Sequence, residues 1–319
     1  MWPGTDAVAP PGGQTRPMFT LRSRIAAHPT VSFFVLAYAI SWTLMMPAVI
    51  AGELEGLPVA FFFIGVFGPA GAGAIVTRAT GGSIRGWLRG IFKFRVPARF
   101  YVAAVAFPVV LAIAASAGFA LVGESLDFGL AGERAAAFLP LLVYCLLLNG
   151  GPEEPGWRGF ALPRLQERLS PVGATFVLGG LWGLWHLPLL RVEANAGHEL
   201  ATLPLIAMLL WTLGGFVAYS FTYTYAWNRT GSVVVCMVLH AAYNTSLGLL
   251  ILRPEDELIG GAYVAISLIL TGLLWLVAAG LIAGTRGRLG LDAGPGEAAP
   301  DTTARPTAAP APHRFAPAG

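Results

Sequence analysis

Charge is what this chain has least of. Only 12% of its 319 residues are Asp, Glu, Lys or Arg, while 55% are hydrophobic, and its mean hydropathy is +0.67. An ordinary soluble domain carries about 25% charged residues, so the scarcity excludes that class and places the chain in a membrane. Alternating apolar and polar segments of about ten residues are also missing, which excludes a barrel and leaves helices as the elements that satisfy the backbone in lipid. Cysteine is nearly absent. Cys145 and Cys236 lie inside apolar runs without a repeating spacing, and both are expected to be buried apolar side chains rather than disulfide or metal partners. The net charge of +3 comes from basic residues at the edges of apolar runs, so no nucleic-acid partner is expected.

What is present is a series of long charge-free intervals: 29–52, 56–77, 100–123, 135–152, 169–190, 200–228, 230–252 and 258–285. They predict an all-α polytopic membrane protein of about eight transmembrane helices, since a crossing needs about 20 residues. With the N-terminus inside, 17 of the 20 basic residues are cytoplasmic and only Arg134, Arg191 and Arg253 are not. That split predicts both termini in the cytoplasm. The first span is too long, and its polar lead too extended, for a cleaved signal peptide. The expected organisation is a disordered or interfacial tail at 1–28, a transmembrane unit at 29–285, and a disordered tail rich in Pro and Ala at 286–319. Segment 81–96, GGSIRGWLRGIFKFRV, interleaves basic and apolar residues; it reads either as a helix lying on an anionic leaflet or as a basic loop.

Ionisable groups inside a bundle are costly unless paired or facing a cavity, so the few present direct attention to function. His186 and His240 interrupt neutral spans, and Asn244 follows His240 by four residues, on the same helix face. At about 1.5 Å per residue, His240 lies roughly 16 Å deep and Asn244 and His186 roughly 22 to 24 Å. The fourth interval is short, and continuing it through EEPGWRGFALP to Arg164 brings Glu153 to similar depth. Gly150, Gly151, Pro152 and Pro155 predict a bend or unwinding there. Glu154 and Arg158 form an i, i+4 pair and are expected to hold the site, whereas Glu153 points away to react in it.

A carboxylate facing a histidine in a low-dielectric cavity can activate water, and His240 with Asn244 can donate to an oxyanion. Peptide-bond hydrolysis within the membrane fits the four groups. The three motifs, Glu-Glu-x-x-Trp-Arg at 153–158, Trp182 to His186, and His240 to Asn244, in that order, resemble the CPBP family of intramembrane proteases, also known as the ABI or type II CAAX prenyl endopeptidases. The second motif in that family more often begins with Phe where this chain has Trp182. The resemblance implies that Glu153 and His186 activate water while His240 and Asn244 stabilise the oxyanion, in a motif core at 153–244.

The reading leaves alternatives. Zinc could be held by Glu153, His186 and His240 with an open fourth position, although no HExxH pair is present; a metal-free glutamate mechanism is the first choice. Trp182 and Trp185 are expected to pack between helices or near the outer interface, outside the chemistry. The same polar groups could line a proton-coupled transport path, or belong to a non-catalytic scaffold or immunity factor. The expected partners are the bilayer and a membrane-associated peptide or protein, in a plasma membrane. A prenylated tail, a secreted peptide precursor and another membrane protein are all open as substrates.

Overall fold

The computed structural model describes residues 21–51, 56–188, 202–251 and 260–291. Among these residues every regular element is helical. The order is α1 (Leu21–Ala27), α2 (Pro29–Ala51), α3 (Gly56–Val66), α4 (Gly68–Ala79), α5 (Ile84–Ile91), α6 (Ala98–Leu121), α7 (Ala131–Leu148), α8 (Glu154–Gly156), α9 (Leu162–Gln166), α10 (Pro171–Trp185), α11 (Thr202–Thr230), α12 (Val233–Leu250) and α13 (Gly260–Gly284). The chain is an all-α polytopic membrane protein.

Every one of the eight charge-free intervals carries a helix, but not every helix can cross alone. Among the described residues five are long and apolar enough, or six if α3 and α4, bent by 48°, count as one span. Helix α10 has only 15 residues, about 22 Å of rise against a hydrocarbon core of about 30 Å. Helix α11 has 29 residues, and the side chains of its first eleven, 202–212, lie outside the description. The bend between α3 and α4 falls where Pro69 enters at the start of α4, while Ser41 Oγ donates to Gly65 O at 2.8 Å.

Loops at each end of the bundle meet their expected neighbours. Ser232 Oγ donates to Lys93 O at 2.6 Å, and Asn228 Nδ2 donates to Leu289 O at 3.1 Å. These join the 78–99, 229–232 and 286–291 segments, all placed on one side by the basic residues. At the opposite end Arg134 donates to Ile251 O. The order extends beyond the transmembrane unit expected from sequence. Residues 21–27 are helical, with Arg22 Nε donating to Ala79 O at 3.2 Å, and Leu289 is fully buried. The rest of the two expected tails, with Arg191, Arg253 and His198, lies outside the described residues.

Small residues allow close helix packing, the usual solution where burial in lipid gives little drive for association. A Cβ on Gly179 of α10 would lie 2.8 Å from the backbone of Val217 on α11. One on Gly156 would strike the backbone of Pro69, so α8 rests directly on α4. The core between is aromatic: Phe33 stacks on Phe160 at 5.0 Å and meets Trp157 edge-on at 5.6 Å. Helix α5 does form within the basic segment, started by Ser83, whose side chain accepts from Gly86 N. Its Ile91 is buried and its Arg85 and Arg89 are exposed.

Candidate active site

The site is built where a helix is interrupted. Helix α7 ends at Leu148, and Asn149 is extended with φ −138° and ψ 100°. Gly150 has φ +96°, a conformation that a side chain resists. A single turn of 3₁₀ helix follows at Gly151–Glu153, then α8, then a π turn at Trp157–Ala161 before α9. The glycines and prolines that predicted a bend sit at the break. Residues 151–162 are all buried, so this irregular backbone is shielded from lipid, as it must be at membrane depth. The π turn shifts the register of the backbone ladder, and side chains donate to two of its carbonyls: Trp87 Nε1 to Gly159 O at 3.1 Å and Arg164 Nη1 to Phe160 O at 2.9 Å.

The two glutamates of this segment point to different partners. Glu154 is wholly buried, and its Oε1 accepts from Arg158 Nη1 at 3.0 Å and from His240 Nδ1 at 2.7 Å. Arg158, also wholly buried, reaches Ser220 Oγ at 3.3 Å. Its guanidinium lies 4.4 Å from the Trp182 ring centre and 3.9 Å from that of Tyr223. A buried ion pair tolerates its desolvation only with such additional partners. The i, i+4 pairing expected from sequence is present, with a second duty: Glu154 also orients His240, 86 positions away.

Glu153 faces elsewhere. Its Oε2 accepts from Trp182 Nε1 at 2.8 Å and from Trp157 Nε1 at 3.2 Å, and the residue is 3% exposed. Trp182 thus packs between helices, the first of its two expected places, but its N–H brings it into contact with a site residue, where the sequence placed it outside the chemistry. Its ring lies 5.6 Å from that of His186 and 5.3 Å from that of His240. Trp185, 2% exposed, is likewise interior. The signal that could have placed Trp182 is its spacing, four residues before His186 and at the depth of the carboxylates.

Both histidines have their tautomers fixed by their partners. His186 Nδ1 is 2.9 Å from Trp182 O; a carbonyl can only accept, so Nδ1 carries the hydrogen and Nε2 is the acceptor. His240 Nδ1 donates to the Glu154 carboxylate, leaving Nε2 directed elsewhere. His240 and Asn244 lie side by side against Gly150: a Cβ there would be 2.5 Å from His240 Cδ2, 2.7 Å from its Nε2 and 2.9 Å from Asn244 Nδ2. Asn244 Nδ2 also reaches Asn149 O at 3.4 Å, which ties α12 to the break.

Among the described residues no group of three His, Cys, Asp or Glu side chains is arranged to hold a metal ion. Glu153, His186 and His240, the zinc set considered from sequence, are not grouped in that way among these residues. Cys145 and Cys236 are buried free thiols. Beside the carboxylates an apolar cavity of about 440 Å³ is lined by Phe67, Trp87, Leu146, Met237 and by Pro152 and Pro155, the residues flanking the glutamate pair.

With this geometry in place, residues 135–246 match the Rce1-like family model, described as type II CAAX prenyl endopeptidase. A protein of Methanococcus maripaludis described as CAAX prenyl protease 2 is 32% identical over 146 residues, which cover 46% of this chain and 49% of that protein. The chain therefore spans about half the length of the curated relative it matches. The stretch matched by the family model, 135–246, contains the helix break, the glutamate pair, both histidines and Asn244, and over that stretch the chain is similar to the Rce1-like, type II CAAX prenyl endopeptidases.

Proposed function

We propose that the protein is an intramembrane endopeptidase that hydrolyses a peptide bond in a membrane-associated peptide or protein, by CAAX-type or related processing. The observation that carries this reading is a buried carboxylate, Glu153, held among the described residues by indole donors alone, in a site where His240 Nε2 and Asn244 Nδ2 lie side by side against Gly150. Two neighbouring donors suit an oxyanion. A carboxylate without a cationic partner suits a base.

In this mechanism a water molecule lies between Glu153 Oε1 and His186 Nε2. Its oxygen attacks the scissile carbonyl carbon, and the proton released passes to Glu153. The carbonyl oxygen, now negative, accepts from Asn244 Nδ2–H and His240 Nε2–H. Because Nδ1–H of His240 is given to Glu154, Nε2 donates when the ring is an imidazolium, and Glu154 balances that charge. Collapse restores the carbonyl and breaks the C–N bond, while Glu153 returns its proton to the leaving nitrogen. The apolar cavity beside Pro152 and Pro155 would take the apolar part of the substrate. In this proposal Glu153 is the base and no metal takes part. The proposal includes a plasma-membrane location with both termini cytoplasmic; contacts among the basic loops at one end of the bundle support that orientation.

The test compares peptide termini in membranes of cells expressing the wild type and Glu153→Gln, which keeps the shape and removes the base. Termini present only with the wild type are expected, and they identify the substrate. Matching profiles from two folded, abundant proteins would overturn proteolysis in favour of a scaffold or a transport path.

A further inference from the structure

Glu153 has two oxygens, and the structure treats them unequally. Oε2 takes both indole hydrogens, from Trp182 at 2.8 Å and Trp157 at 3.2 Å. Among the described residues Oε1 accepts no hydrogen bond. Trp157 follows Glu153 by four residues on the same interrupted segment and moves with it. Trp182 stands on α10 and is the tie between the carboxylate and a different helix.

The direction of that tie is fixed. The Trp182 ring is 1% exposed and is enclosed by Phe216 at 4.8 Å, Tyr223 at 5.5 Å, His240 at 5.3 Å and the Arg158 guanidinium at 4.4 Å. Those neighbours come from α11, α12 and the π turn, so the indole cannot rotate without moving three elements. The backbone carbonyl of the same residue accepts from His186 Nδ1. One residue therefore sets the acceptor end of His186 and the free oxygen of Glu153 together. A phenylalanine would fill most of the same space and donate nothing.

Resting on the proteolytic reading, we infer that Trp182 is a positioning residue that occupies Oε2 of Glu153 and thereby assigns Oε1 to the reacting water, in register with His186 Nε2. Trp185 is the natural comparison: it is equally buried, one turn along the same helix, and its Nε1 has no hydrogen-bond partner among the described residues.

The experiment uses the full chain in detergent with a synthetic peptide spanning the junction identified from the Glu153→Gln comparison. Trp182→Phe is expected to lower kcat by about 10- to 100-fold with KM unchanged, and Trp185→Phe to keep the wild-type kcat. In a spectrum of the nine indole N–H groups, Glu153→Gln should shift two signals, those of Trp157 and Trp182. A wild-type kcat in Trp182→Phe, with Glu153→Gln inactive, overturns the positioning role and leaves proteolysis standing. Full activity in Glu153→Gln sinks both. Should Trp182→Phe fail to fold, the indole spectrum decides: a shift of the Trp157 signal alone, or of neither, overturns the inference.

Discussion

His240 Nδ1 lies 2.7 Å from Glu154 Oε1, the same oxygen that Arg158 Nη1 approaches at 3.0 Å. One carboxylate oxygen thus organises a guanidinium and an imidazole in a region with almost no exposure. Removing Arg158 leaves that carboxylate short of a partner in a buried setting, and Arg158→Ala is expected to cost about 3 to 5 kcal/mol of stability. Thermal unfolding in detergent micelles measures it. Arg158→Lys should recover only part, because an ammonium cannot stack flat between Trp182 and Tyr223 while reaching Ser220.

Asn244→Ala removes one of the two donors beside Gly150 and is expected to lower kcat by about 10²- to 10³-fold. KM should change little, since the donor acts on charge that develops in the transition state. Steady-state kinetics on the identified substrate check this, and a wild-type kcat would remove Asn244 from the oxyanion site.

Gly150→Ala should abolish most activity for two independent reasons. Its φ of +96° disfavours a side chain, and the added carbon would lie 2.7 Å from His240 Nε2. Gly272→Ala, in α13 with nothing within 4 Å of the added carbon, should leave activity intact and add up to about 1 kcal/mol of helix stability. Comparing the two variants separates loss at the site from a general intolerance of glycine replacement.

Dialysis against a chelator is expected to leave the rate unchanged. Activity that disappears on chelation and returns with zinc would replace the glutamate mechanism with a metal-assisted one.

Much of the site was legible because membrane burial makes polar residues conspicuous. Glu153, Glu154, Arg158, His186, His240 and Asn244 stand out against apolar neighbours, and the spacing of Glu154 with Arg158 fixes one contact outright. The helix break was legible from Gly150 to Pro152 for the same kind of local reason. The link from Glu154 to His240 was not, since it joins segments 86 positions apart and no periodicity encodes it. The hydrogen bond of Trp182 to Glu153 was not legible, because an indole in an apolar helix carries the signature of packing against lipid or neighbours. Its N–H acquires a role only when a distant carboxylate is brought beside it. The π turn left no signal, as its sequence WRGFA suits an ordinary helix as well. Of the eight expected spans, five or six are self-sufficient among the described residues; α10 is too short to cross alone and α11 is described only in part.

The hydrogen bond from Trp87 to Gly159 O has a mechanical consequence. Helix α5 is short, with arginines outward, yet this indole fastens it to the residue next to Arg158. A lever of one side chain runs from the rim of the bundle to its ion pair. Altering how α5 is seated should therefore disturb the glutamate segment from a distance, so the reaction centre is tuned in part by a helix that contributes no group to it.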